Sequence, residues 1–202
     1  MVVDDQTATI DPRTHVQDRP FGAAPATAQE RILEAAVSLM ATKAPSQIAG
    51  RELAKKADVN YGLIHRHFGS KNNACKEAFQ RLAGSYVEQA RRTGDRNWLL
   101  TLGLHPEYRD LWRILAHAAM DSDSLAILGW DYPLLREQLA VRTTAVQRGD
   151  EAAQTKAALA TAFSLAFGWT VFQPFLVQAL ELNDEDRTFV DAAITEQIQK
   201  IW

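Results

Sequence analysis

Between residues 61 and 68 the chain reads Tyr-Gly-Leu-Ile-His-Arg-His-Phe, and the types and spacing of these residues suit contact with nucleic acid. At 100° per residue, Ile64 and Phe68 fall together and are expected to be buried. Gly62, His65 and Arg66 fall roughly opposite, with Tyr61 and Leu63 flanking. Such a surface offers hydrogen-bond donors, a flat aromatic and a gap for close backbone approach, which fits a major groove better than bulk water. The two histidines on this helix, His65 and His67, lie about 200° apart, so they cannot share a metal ion.

The elements that must hold this face lie just upstream. Arg51 to Ala57 has a short helical pattern with Leu53, Ala54 and Ala57 on one side. Asp58-Val59-Asn60 breaks it, and Asn60 can cap the next helix by accepting a backbone N–H. Further back, Thr27-Ala28-Gln29-Glu30 has the form of a capping box. Ile32, Leu33, Ala36, Val37 and Met40 then recur at helical spacing to about Lys43, and Ala44-Pro45 ends the run. Charge separates this segment from the rest. Residues 27–92 carry eleven Lys/Arg against six Asp/Glu, a net +5. Residues 93–202 carry nine against fifteen, net −6, and residues 1–26 two against four, net −2. A nearly neutral chain thus hides a basic head on an acidic body, which confines polyanion affinity to the head.

ERILEAAVSLM followed by ELAKKADVNYGLIHRHFGSK resembles the amino-terminal domain of the tetracycline-repressor (TetR) family of bacterial transcription regulators, most specifically in His67-Phe68-Gly69-Ser70-Lys71. The resemblance covers roughly residues 27–80. It implies that Tyr61, Gly62, Leu63, His65, Arg66 and His67 face the groove or the phosphates. It also implies that Lys71 contacts a phosphate at the start of a fourth helix. Four positions depart from the family pattern. Asp58 replaces a turn glycine, and Asn60 replaces a serine or threonine that both caps and touches DNA. His65 stands where a phosphate-bonding tyrosine is common, and Ala49 where a threonine caps the second helix. Asp tolerates left-handed backbone, Asn60 keeps the capping chemistry, and Arg51 is a substitute phosphate anchor.

The expected architecture is all-α: an arm over 1–26, a three-helix helix-turn-helix DNA-binding domain over 27–80, and a larger helical ligand-binding and dimerisation domain over 81–202. The arm, with Pro12, Pro20 and Pro25, need not fold; Arg13 and Arg19 in it are outnumbered by acids. No secretory pattern opens the chain, and the lone Cys75 suits a reducing cytoplasm as a packing residue. With 47% apolar residues the chain can build a sizeable core. Ser70 to Arg92 reads as one long helix, broken at Gly94-Asp95-Arg96-Asn97. Helices follow from Pro106 to about Met120, from Pro133 to an end at Gly149, and from Glu185 to about Ile201.

Ala157 to Leu180 has no formal charge, which on length and apolarity alone is a membrane-span pattern. Gln173, Pro174, Gln178 and an acidic downstream flank without positive partners argue instead for burial on all sides, with no membrane involved. Ala162, Ala166 and Thr170, with Phe189, Ile194 and Ile198 from the last helix, are the expected homodimer interface. Trp98, Trp112, His117, Met120, Trp130, Phe163 and Phe167 are the expected pocket for an apolar small-molecule effector. No metal-ligand spacing, phosphate loop or nucleophile motif is present, so neither enzyme activity nor a cofactor is expected. The reading is a cytoplasmic homodimeric repressor released from an inverted-repeat operator by an apolar ligand. Its alternatives are an all-helical binding module whose head no longer reads DNA, and an activator or ligand-independent regulator.

Overall fold

The structure, a computed structural model, describes residues 27–93, 108–144 and 149–201, and every regular element among them is helical. The arm, the break at 94–97, Trp98, His105 and Pro106 lie outside the described residues. Helix α1 (Ala28–Met40) opens on the capping box read from the sequence. The Thr27 hydroxyl accepts the Glu30 N–H at 3.2 Å, and the Glu30 carboxylate accepts the Thr27 N–H at 2.7 Å. Its apolar stripe is buried, with Ile32, Ala36 and Met40 fully so. The helix ends at Met40, a turn earlier than the periodicity suggests, and a 3-10 turn over Pro45–Gln47 leads to α2 (Gly50–Lys56).

The connection from α2 to α3 (Tyr61–Phe68) is a Schellman closure. The Val59 N–H reaches the Ala54 carbonyl at 3.0 Å and the Asp58 N–H reaches Lys55 at 3.2 Å. This closure needs a left-handed residue, and Asp58 supplies it at φ 52°. Asn60 then caps α3, its side-chain oxygen accepting the Gly62 N–H at 2.8 Å. Arg31 secures the turn from α1, its Nε donating to the Ala57 carbonyl at 3.2 Å. Gly69, at φ 75°, ends α3.

Helix α4 (Lys71–Thr93) runs from the head into the body, burying Ala74, Cys75, Ala78, Phe79, Tyr86 and Val87. The body comprises α5 (Arg109–Ala119), α6 (Ser122–Leu128), α7 (Pro133–Thr144), α8 (Gly149–Ala179) and α9 (Asp184–Ile201). Gly149 therefore opens α8 and does not close α7, which ends at Thr144. Helix α8 continues through Pro174, and α9 is capped by Asn183, whose side-chain oxygen accepts the Glu185 and Asp186 N–H groups. One apolar core extends from Ile64 and Phe68 through Phe79 to Trp112, Leu128 and Leu159, uninterrupted at residue 80. A second, small core of Ala162, Ala166 and Ile198 joins α8 to α9.

A left-handed conformation costs an L-residue about 1 kcal/mol or more, which glycine avoids. Asp58→Gly should accordingly raise the thermal stability of the chain slightly, and Asp58→Val should lower it. Equal melting of both variants would contradict strain at this turn.

Candidate nucleic-acid interface

The recognition face is built by burying its opposite side. Ile64 is fully buried and Phe68 nearly so, which turns Tyr61, Gly62, His65, Arg66 and His67 to the solvent. Leu63 is half-buried and packs against the core, so only its outer part belongs to this face. Arg51 and Arg66 are exposed and have no side-chain partner among the described residues. Both guanidiniums are therefore available to an anion or a base edge. Asn60 also stays exposed while it caps α3.

Local contacts order this face before any ligand arrives. The Tyr61 ring meets His65 edge-on, with centroids 4.8 Å apart at 85°. It also lies over the first turn of α2: a Cβ added at Gly50 would sit 2.5 Å from Tyr61 Cε2. Glycine at position 50 thus leaves room for the Tyr61 ring over α2. His65 Nδ1 lies 3.0 Å from the Gly69 carbonyl. A carbonyl only accepts, so Nδ1 carries the proton, and Nε2 of the neutral ring is an acceptor. In that state His65 can take a hydrogen bond from a base amino group but cannot donate through Nε2 to a phosphate. Ala49 offers α2 no side-chain cap; Glu52 accepts its N–H at a long 3.5 Å and is held mainly by Lys43 at 2.6 Å. The Lys43 ammonium accordingly lowers the pKa of the Glu52 carboxyl.

Lys71 has a structural task that the sequence did not reveal. Its ammonium donates to the carbonyls of Pro45 at 2.9 Å and Ser46 at 3.2 Å, pinning the 3-10 turn that precedes α2. Beside it, burial pushes the Cys75 thiol up to about 11, against a smaller opposing pull from Lys71. The thiol stays protonated and acts as a packing group.

Residues 32–73 match the model of the bacterial regulatory proteins of the tetR family. This segment is therefore a tetR-type helix-turn-helix, and with the relatives below it supports DNA-binding transcription regulation as the role of the chain. It is 29% identical over 197 residues to an HTH-type transcriptional repressor of Mycobacterium tuberculosis, covering 95% of this chain and 98% of that one. An HTH-type transcriptional regulator of Mycobacterium bovis matches with the same identity and coverage. Among solved structures, it is similar to NalD, the secondary repressor of the MexAB-OprM multidrug efflux pump in Pseudomonas aeruginosa. That likeness has a TM-score of 0.47 at 14% identity and covers 86% of this chain and 95% of that one.

Several of the body residues singled out from the sequence pack against one another or against the core. Trp112 packs edge-on against Tyr86, Phe163 and Phe167, the last two stack on each other, and Trp130 packs on Phe79. These rings pack on one another within the core. His117 is half-buried, Met120 is 80% exposed, and Trp98 lies outside the described residues. Ala162, Ala166 and Ile198 are buried within one chain, with Ile194 against them. The Thr170 hydroxyl donates to the Ala166 carbonyl at 2.8 Å. Small residues on α8 thus admit α9 of the same chain. Of the six expected interface residues, Phe189 is the large apolar one left exposed, at 75%.

Body and head meet in a polar junction. The Asp121 carboxylate caps α6 and accepts the Ser124 hydroxyl at 2.6 Å and the Ser46 hydroxyl on the same oxygen. The Ser46 N–H in turn donates to Ser124 Oγ at 3.0 Å, and Ser124 is fully buried. The turn that Lys71 pins from the head side is therefore also held from the body side.

Hydrogen bonds from Ser124 first, then Ser46, lower the Asp121 pKa below its usual value. A depressed folded-state pKa gives stability that is complete above the ordinary carboxylate range and lost as pH falls through the folded value. Asp121→Asn removes that dependence. The unmodified chain should lose more melting temperature than the variant between neutral pH and the acid side of the carboxylate range, and equal losses would contradict this coupling.

Proposed function

We propose that the chain is a cytoplasmic homodimeric repressor that holds an inverted-repeat operator and releases it when a small molecule binds the body. The observation that carries this reading is the outer face of α3, where Arg66, His65, Gly62 and Tyr61 stand exposed on a basic head. One eight-residue helix reads only a few base pairs, so useful specificity calls for two heads about one DNA turn apart. The relatives named as a transcriptional repressor and regulator support the same direction.

A second copy also answers a problem the single chain leaves open. Within α8, Ala152–Ala179 is long and apolar enough to cross a membrane, with a mean hydropathy of 1.3 over its most apolar 18 residues, yet only 17% of those residues are buried within the chain. Leu165, Phe172 and Phe175 on α8 and Phe189 on α9 remain exposed. A patch of this kind marks an interface, and pairing α8 and α9 with their copies would bury it. An effector reading is favoured by an apolar groove in the body, lined by Leu135 and Leu139 of α7 and by Leu159 and Phe163 of α8.

Operator affinity should fall steeply as salt rises, since several phosphates are neutralised per dimer. Lys71→Ala should weaken binding to all sequences alike, through the phosphates and through the 3-10 turn. Arg66→Ala should change which sequence is preferred, by about 1–3 kcal/mol at one base pair. Identical behaviour of the two variants would overturn the assigned roles, and a flat salt response would return the head to a mere binding module. In sedimentation experiments, Phe172→Glu with Phe175→Glu should give a folded monomer with weakened operator binding. A stable dimer in that variant would rule out this face.

A further inference from the structure

A cavity in the body lies between α7 and α8. It measures about 290 Å³, close to the lower end of ligand-site sizes. Leu135 and Leu139 from α7 and Leu159 and Phe163 from α8 form its apolar wall. Arg136 and Lys156, one from each helix, also line it.

These two cations are unusual in lacking acids of their own. One helical turn from Arg136 in either direction stand Tyr132, Pro133, Leu139 and Ala140, and around Lys156 stand Ala152, Ala153, Leu159 and Ala160. No carboxylate therefore occupies the i±3 or i±4 positions from which helical ion pairs form. Glu137, next in sequence to Arg136, is paired with Arg91 of α4. Neither cation makes an ion pair or a side-chain hydrogen bond among the described residues, and both are exposed. An apolar slot flanked by two uncompensated cations is complementary to a molecule with an apolar body and an anionic end.

We infer that the α7–α8 groove binds amphipathic anions, with an alkyl-type body against Leu139, Leu159 and Phe163 and the anionic group between Arg136 and Lys156. This gives the effector of the proposed repressor a place and a chemical class, and so rests on that reading. The site also has a route to the core. Phe163 lines the groove on one side and packs on Trp112 on the other, with centroids 5.6 Å apart. A ligand seated on Phe163 therefore changes the surroundings of a buried tryptophan.

The test titrates the full chain with decanoate, decyl sulfate, decanol and decyltrimethylammonium, each below its micellar concentration. Binding is followed by calorimetry and by tryptophan fluorescence, with Trp112→Phe as the reference for the second signal. DNA retention is measured separately. Both anions should bind about tenfold or more tighter than decanol, the scale of one charge-assisted contact. Arg136→Gln with Lys156→Gln should erase that preference while decanol binding stays, and Leu139→Trp should close the groove to all four. Equal affinity for the four probes, or anion binding untouched in these variants, overturns the inference. Anion binding at the groove without loss of DNA would leave the site standing and remove the effector role. DNA release by a neutral compound, unaffected by the groove variants, would do the reverse.

Discussion

An eight-residue helix does not persist in water by itself, so α3 exists because Ile64 and Phe68 are buried against α1, α2 and α4. That burial sets everything the head can do. It fixes which side chains face outward, and it makes their orientation a property of the core rather than of α3. Truncating Ile64 to alanine would cost about 2–5 kcal/mol, comparable with the whole stability of many domains. Reading DNA and staying folded are thus two consequences of one packing arrangement.

The same core explains how a distant event can reach the recognition face. Phe68 and Phe79 belong to the apolar cluster that includes Trp112 and Leu159, so head and body cannot shift independently without opening it. The polar junction adds direction to this coupling. Lys71 holds the carbonyls of the 3-10 turn, Asp121 and Ser124 hold Ser46, and α2 follows that turn within a few residues. A body that moves α6 would pull on the start of α2, whose Gly50 bears the Tyr61 ring. Coupling through this junction would require a second arrangement of it and a ligand that prefers one of the two, and the differential affinity would set the size of the response.

The head was legible because its signals are local. The capping box at Thr27, the Asn60 cap, the left-handed Asp58 and the paired burial of Ile64 and Phe68 all arise within a few residues, where side-chain chemistry determines geometry. The body was less legible because α8 is apolar around its circumference, so periodicity cannot say which side meets α5, α7, α9 or a second copy. Ala162 and Ala166 turned inward to α9, and the exposed face is carried by Leu165, Phe172 and Phe175. The aromatic residues gathered as expected but satisfied one another's packing. The contact between Ser46 and Asp121 joins residues 75 apart in sequence, a separation at which no local pattern exists. The Arg31 clasp on Ala57 escaped for the same reason, since only a carbonyl records its partner.

The most direct test of the account is a binding selection, in which the purified chain is mixed with fragmented DNA of its own genome and the retained fragments are sequenced. A dimer with two outward α3 helices predicts enrichment of a few sites sharing an inverted repeat, with half-site centres about 10 base pairs or a multiple apart. Retention without a shared motif, or enrichment of isolated half-sites alone, would contradict it.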